Sequence, residues 1–81
     1  MALLNAGRCL ATGLALCNLG QRYFWIRYLA LGGSRPYAEL LAYIDGDIEW
    51  PANEHDAAAH ALNEYCNELG LGLPVLYSEE L

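Results

Sequence analysis

At 81 residues the chain has the length of one small domain. With 56% hydrophobic and 17% charged residues it is too apolar for a disordered chain, and too rich in leucine and alanine for a disulfide-stapled scaffold. Ten acids against four arginines leave a net charge of −6, which argues against a partner made of phosphates.

Residues 3–19 read as a helix, with Leu3, Leu10, Leu14 and Cys17 on one broad face. Gly20 ends this helix as a left-handed cap, or the helix runs on to Leu31. An unbroken helix over residues 8–31 would be about 36 Å long. A compact domain of this size has a radius of gyration of only about 12 Å. The helix therefore breaks near Gly20, or it projects and packs on another molecule. Gly32 and Gly33 stop the segment. Ser34 offers an N-cap, with Pro36 in the first turn, where its missing N–H costs nothing. Tyr37, Leu40, Leu41 and Ile44 follow at helical spacing, and Gly46 closes that short helix.

Residues 47–51 read as a loop. Asn53 then caps a further helix, with Asp56 completing a weak capping box. Ala58, Ala61, Leu62, Tyr65 and Leu69 make its apolar stripe, and Gly70 ends it with Leu71 in support. In the tail, Val75, Leu76 and Tyr77 are able to dock. The expectation is an all-α fold, a small bundle of three or four helices, completed by self-association if the first helix projects. Residues 1–81 form one domain: an apolar basic segment over 1–33, an acidic helix-loop-helix over 34–70, and a tail over 71–81.

Charge is segregated along the chain. Arg8, Arg22, Arg27 and Arg35 all precede the first acid, Glu39, so the two parts carry +4 and −10. The acidic part suits a basic protein surface. Cys9 and Cys17 on one helix would be separated by about 12 Å of rise, beyond the roughly 7 Å limit for a bridge. The three cysteines read as small core residues in a reducing compartment. Residues 9–31 are apolar, but Asn18, Gln21, Arg22 and Arg27 interrupt them, so no clean membrane span is present. The downstream residues lack the small-x-small pattern of a signal-peptide cleavage site. The chain is expected to be soluble and cytoplasmic.

The most specific acidic pattern runs from Asp45 through Asp47, Glu49 and Asn53 to Asp56, twelve residues with oxygen ligands at alternating positions. As a calcium loop it departs at Trp50, where glycine should turn the chain, and at Asp56, where a longer glutamate is usual. Capping explains Asn53 and Asp56 as well. Asp56, His60 and Glu64 share a helix face, but they span about 12 Å and cannot reach one ion together. His55 is expected to be exposed and to titrate near neutral pH. No arrangement of nucleophile and base is supported, no cofactor motif is present, and without lysine a phosphate-cradling Walker motif is excluded.

The densest aromatic run is Gln21-Arg22-Tyr23-Phe24-Trp25-Ile26-Arg27-Tyr28. On a helix these side chains point all round, so one core cannot bury them all. Arginine, tryptophan and tyrosine dominate interface hot spots because each buries a large area and keeps a polar handle. The expectation is a small acidic module that binds another protein, itself included, without catalysis. Arg22, Trp25 and Arg27 would form one contact patch, with Trp50 and Asp56 as a weaker second. The alternative is a membrane-surface protein anchored by residues 3–31, and a further one is a calcium-responsive helix-loop-helix.

Overall fold

The computed structural model describes residues 6–70, and those residues form an all-helical bundle. Four helices follow in chain order: α1 Ala6–Cys17, α2 Gln21–Ala30, α3 Tyr37–Ile44 and α4 Ala52–Glu68. The principal contacts run α1 to α3, α1 to α4, α2 to α4 and α2 to α3, so the helices close into a ring around one core. The core is built from Leu10, Phe24, Tyr28, Leu40, Leu62 and three alanines, Ala58, Ala59 and Ala61, each fully buried. The expected docking of Val75, Leu76 and Tyr77 lies outside the described residues.

The first apolar segment breaks. Asn18 takes a left-handed conformation at φ 53°. The N–H of Leu19 then reaches back to the Leu14 carbonyl at 3.1 Å, and the Asn18 N–H bonds the Ala15 carbonyl at 3.3 Å. This is the Schellman arrangement, sealed by burying Leu14 and Leu19 together. The left-handed residue is thus Asn18, whereas Gly20 is extended and serves as the N-cap of α2. A continuous helix of about 36 Å would not fit a molecule whose extents are 30 × 24 × 20 Å. The break folds α2 back, and the radius of gyration is 11.1 Å. The projecting helix, one ground for expecting self-association, is therefore absent. Among the described residues no helix is long and apolar enough to cross a membrane.

Two sequence-based caps are corrected. Helix α3 begins after Pro36, and the Ser34 side chain bonds Glu54 instead of a free N–H of that helix. Helix α4 begins after Pro51, which places Asn53 inside the first turn, and no side chain caps it. In both cases the proline ring presets the extended backbone of the position before the helix, and its carbonyl accepts the first helical bonds. The stripe of α4 also shifts: Leu69 is 50% exposed, while Glu54, His55 and Cys66 are buried.

The cysteines are corrected too. Cys17 at the end of α1 and Cys66 near the end of α4 form a disulfide, with 6.0 Å between their Cα atoms. Cys9 is a free, half-buried thiol, in keeping with its distance from Cys17 along one helix. The reading of all three as reduced core residues missed the pairing because α1 and α4 meet only after the chain has turned three times.

Candidate interaction surface and the polar cluster behind it

The segment joining α2 to α3 is held by a buried polar cluster. Glu54 projects from the first turn of α4 and is 6% exposed. One of its oxygens accepts from the Tyr28 hydroxyl and, at 3.2 Å, from the Ser34 N–H. The other accepts from the Ser34 hydroxyl and lies 3.6 Å from the Arg35 guanidinium. The Tyr28 oxygen in turn accepts from the N–H groups of Ser34 and Arg35 at 3.1 and 3.0 Å. Arg35 reaches a second carboxylate, Glu39, at 3.5 Å. Gly33 fits beside the Tyr28 ring because it carries no Cβ; a methyl there would overlap the ring.

These contacts set two titrations. Burial, with the bond to Glu54 in support, pushes the Tyr28 hydroxyl up to about 12. Burial also pushes the Glu54 carboxyl upward, but bonds from Ser34 and Tyr28 and the charge of Arg35 outweigh it and hold the group below its usual value. The next layer is aromatic. Trp50 stacks on Tyr43 at 4.5 Å and on Tyr28 at 5.2 Å between ring centroids. The Tyr43 hydroxyl pairs with Nδ1 of His55 at 2.6 Å, and burial raises its pKa.

Helix α2 covers this core with Phe24 and Tyr28 and turns its other side outward. Arg22, Tyr23, Ile26, Leu29 and Ala30 are exposed on that side. Tyr23 is 52% and Ile26 53% exposed. No acid lies on the helix. The outer side of α4, which adjoins α2 through Arg27 and through Tyr23 against Tyr65, is polar: His60, Glu64, Asn67 and Glu68 are exposed.

The structure divides the expected aromatic-arginine patch. Arg22 lies over the Tyr37 ring at 4.9 Å. Trp25 is half-buried against the same ring at 5.7 Å and donates its indole N–H to the Arg35 carbonyl at 2.9 Å. Arg27 points the other way, pairing with Glu68 at 3.0 Å and Glu64 at 3.7 Å and lying over Tyr65 at 5.1 Å. The cause is the helical period: positions 22 and 27 differ by about 140° around the axis. The second patch also separates. Trp50 is a core residue at 7% exposure, which corrects its expected place on a contact surface, and Asp56 is half-buried on α4. His55, expected to be exposed, is 1% exposed.

The acidic loop does not close on an ion-sized centre. Asp45, Asp47 and Glu49 are exposed, Asn53 and Asp56 already belong to α4, and among the described residues no three candidate ligands converge. His60 pairs with Glu64 at 3.8 Å along the helix. The outward row Tyr23, Ile26, Leu29 and the Glu54 cluster went unread in the sequence. The row was legible as a spacing of three. The cluster brings Glu54 to Tyr28 and Ser34, 26 and 20 positions away, which no local pattern records. The chain matches no family model, and no curated protein or solved structure is significantly similar to it.

Proposed function

We propose that this chain is a small binding module that acts without catalysis and engages another protein through the outer face of α2. One observation carries the reading. Helix α2, anchored from behind by Phe24, Tyr28 and the Glu54 cluster, presents Tyr23, Ile26 and Leu29 to solvent without an acid among them. A rigid helix with an apolar row and an arginine at one end suits helix-to-helix or helix-in-groove recognition, because little ordering entropy remains to be lost on binding. The exposed acids Asp45, Asp47 and Glu49 at the α3–α4 connection suit a basic patch on the same partner. The closed Cys17–Cys66 bridge favours an oxidising compartment over the cytoplasm expected from the cysteine usage.

Ile26 is the position to probe. Trp25 is tied to the Arg35 carbonyl, so its loss would disturb the fold as well as a contact. A photoreactive p-benzoylphenylalanine in place of Ile26 should yield a protein adduct in cells of the source organism. The same group in place of Asn67, on the polar side of α4, should not. Adducts with lipid alone would favour the membrane-surface alternative, and no adduct, or equal adducts at both positions, would overturn the assignment of this face.

A further inference from the structure

The free thiol of Cys9 is placed to compete for the bridge while the chain is open. Cys9 and Cys17 stand eight positions apart in the sequence, whereas the native bridge joins Cys17 to Cys66 across 49. Loop closure costs free energy roughly as (3/2)RT ln n. In the open chain a Cys9–Cys17 bridge is therefore favoured over the native one by about 15-fold. Helix α1 does not prevent it there, because twelve residues of helix are marginal without packing. Gly13, midway between the two thiols, adds backbone freedom to the loop.

In the folded chain the preference reverses. Cys9 and Cys17 both lie on α1, Ala6–Cys17. Eight residues of helix hold them about 12 Å apart along the axis, past the roughly 7 Å that a disulfide can span. Cys66 comes in on α4 beside Cys17, with 6.0 Å between their Cα atoms, and Cys9 is left about two turns away along α1. Cys66 is fully buried and Cys17 is 5% exposed, so an outside thiol has no approach to the closed bridge.

We propose that Cys9 is an exchange partner in building the Cys17–Cys66 bridge, and that the folding of α1 makes the exchange one-way. A disulfide of the glutathione class first takes two electrons from the Cys9 and Cys17 thiols. Their S–S bond forms, and two glutathione thiols leave with the two protons. Cys66 then gives its proton to water, and its thiolate attacks the Cys17 sulfur. The Cys17–Cys66 bond forms as the Cys9–Cys17 bond breaks, and Cys9 leaves as a thiolate that takes a proton from water. This second step consumes no oxidant. Once α1 is helical the freed Cys9 cannot return to Cys17, and it ends as the half-buried free thiol of the structure.

Disulfide trapping on the full chain tests this. Protein equilibrated in strong urea with reduced and oxidised glutathione is alkylated with N-ethylmaleimide, and peptide mass mapping reads which cysteine carries the label. Among chains with one internal bridge, Cys66 should be labelled about 15 times as often as Cys9. The same mixture, trapped in acid, separated from glutathione and diluted out of urea at mildly alkaline pH, should pass to the Cys17–Cys66 bridge with the label now on Cys9. A portion raised to the same pH in urea should not. A Cys17–Cys66 bridge that predominates in urea, a Cys9–Cys17 species that fails to convert without oxidant, or equal conversion with and without urea would overturn the proposal.

Discussion

Glu54 shows how a single side chain can hold a loop that lacks regular structure. One of its oxygens and the Tyr28 hydroxyl satisfy the N–H groups of Ser34 and Arg35, donors that α3 does not use, and its other oxygen accepts from the Ser34 hydroxyl. Glu54→Gln preserves shape but replaces a charged acceptor with a neutral amide. It should cost about 1.5–3 kcal/mol, the range for hydrogen bonds to charged groups. The loss should depend on pH. Because the folded carboxyl titrates below its unfolded value of about 4.3, its contribution is complete above that value and disappears as pH falls through the folded pKa. Urea denaturation of both proteins should show a gap at pH 7 that narrows in acid. A gap that stays constant would mean the charge is not what matters. At the alkaline end Tyr28 has the opposite sign: its raised value, about 12, makes stability fall as pH climbs above the ordinary tyrosine range.

Between elements, the contacts depend on residues chosen for being small. Gly7 lets α1 approach α3 so closely that a Cβ would overlap the Tyr43 carbonyl, and the alanines of α4 are fully buried. Gly7→Ala should destabilise by about 1–3 kcal/mol, the usual range for overpacking, although alanine is the better helix former. Thermal denaturation measures it, and a rise in melting temperature would refute the close approach. At the far end of α1 the disulfide to Cys66 closes a sequence separation of 49 residues. Loop-closure entropy assigns such a bridge about 4 kcal/mol. Reductant should therefore lower the melting temperature of the wild type and leave a Cys17→Ser, Cys66→Ser variant unmoved. Protein alkylated during extraction from its source should show one free thiol, Cys9; three would mean that the bridge does not form there.

In the whole molecule, segregated charge becomes partly internal. The early arginines and late acids meet across α2 and α4, where Arg27 joins Glu64 and Glu68, and across the α2–α3 connection, where Arg35 joins Glu39 and Glu54. Exposed pairs of this kind contribute little individually. Among the described residues, charges outside these pairs include Arg22 beside the apolar row of α2, Arg8 on α1, and Asp45, Asp47 and Glu49 at the α3–α4 connection. A partner that engages both the apolar row of α2 and the acidic connection would make one apolar and one charged contact, and salt should affect only the second strongly. Added salt weakens attraction between a partner and the acidic loop and leaves burial of the apolar row largely unchanged.

The sequence by itself determined the helical class, the extent of the two later helices to within a few residues, and their stops at glycine. These features arise from local spacing and backbone preference, which neighbouring residues decide among themselves. The end of the first helix was one of two alternatives in the sequence, a break near Gly20 or a run to Leu31, and the structure takes the break, with Asn18 as the left-handed residue. Only the tertiary structure decided that Ser34 bonds Glu54 instead of capping α3, that Trp50 and His55 are interior, that Cys17 meets Cys66, and that Arg22 and Arg27 face apart. A polar or aromatic side chain reads the same in sequence whether it faces water or a partner on another element. Its role is settled when chain closure brings that partner within bonding distance, and closure is a property of the whole ring of helices.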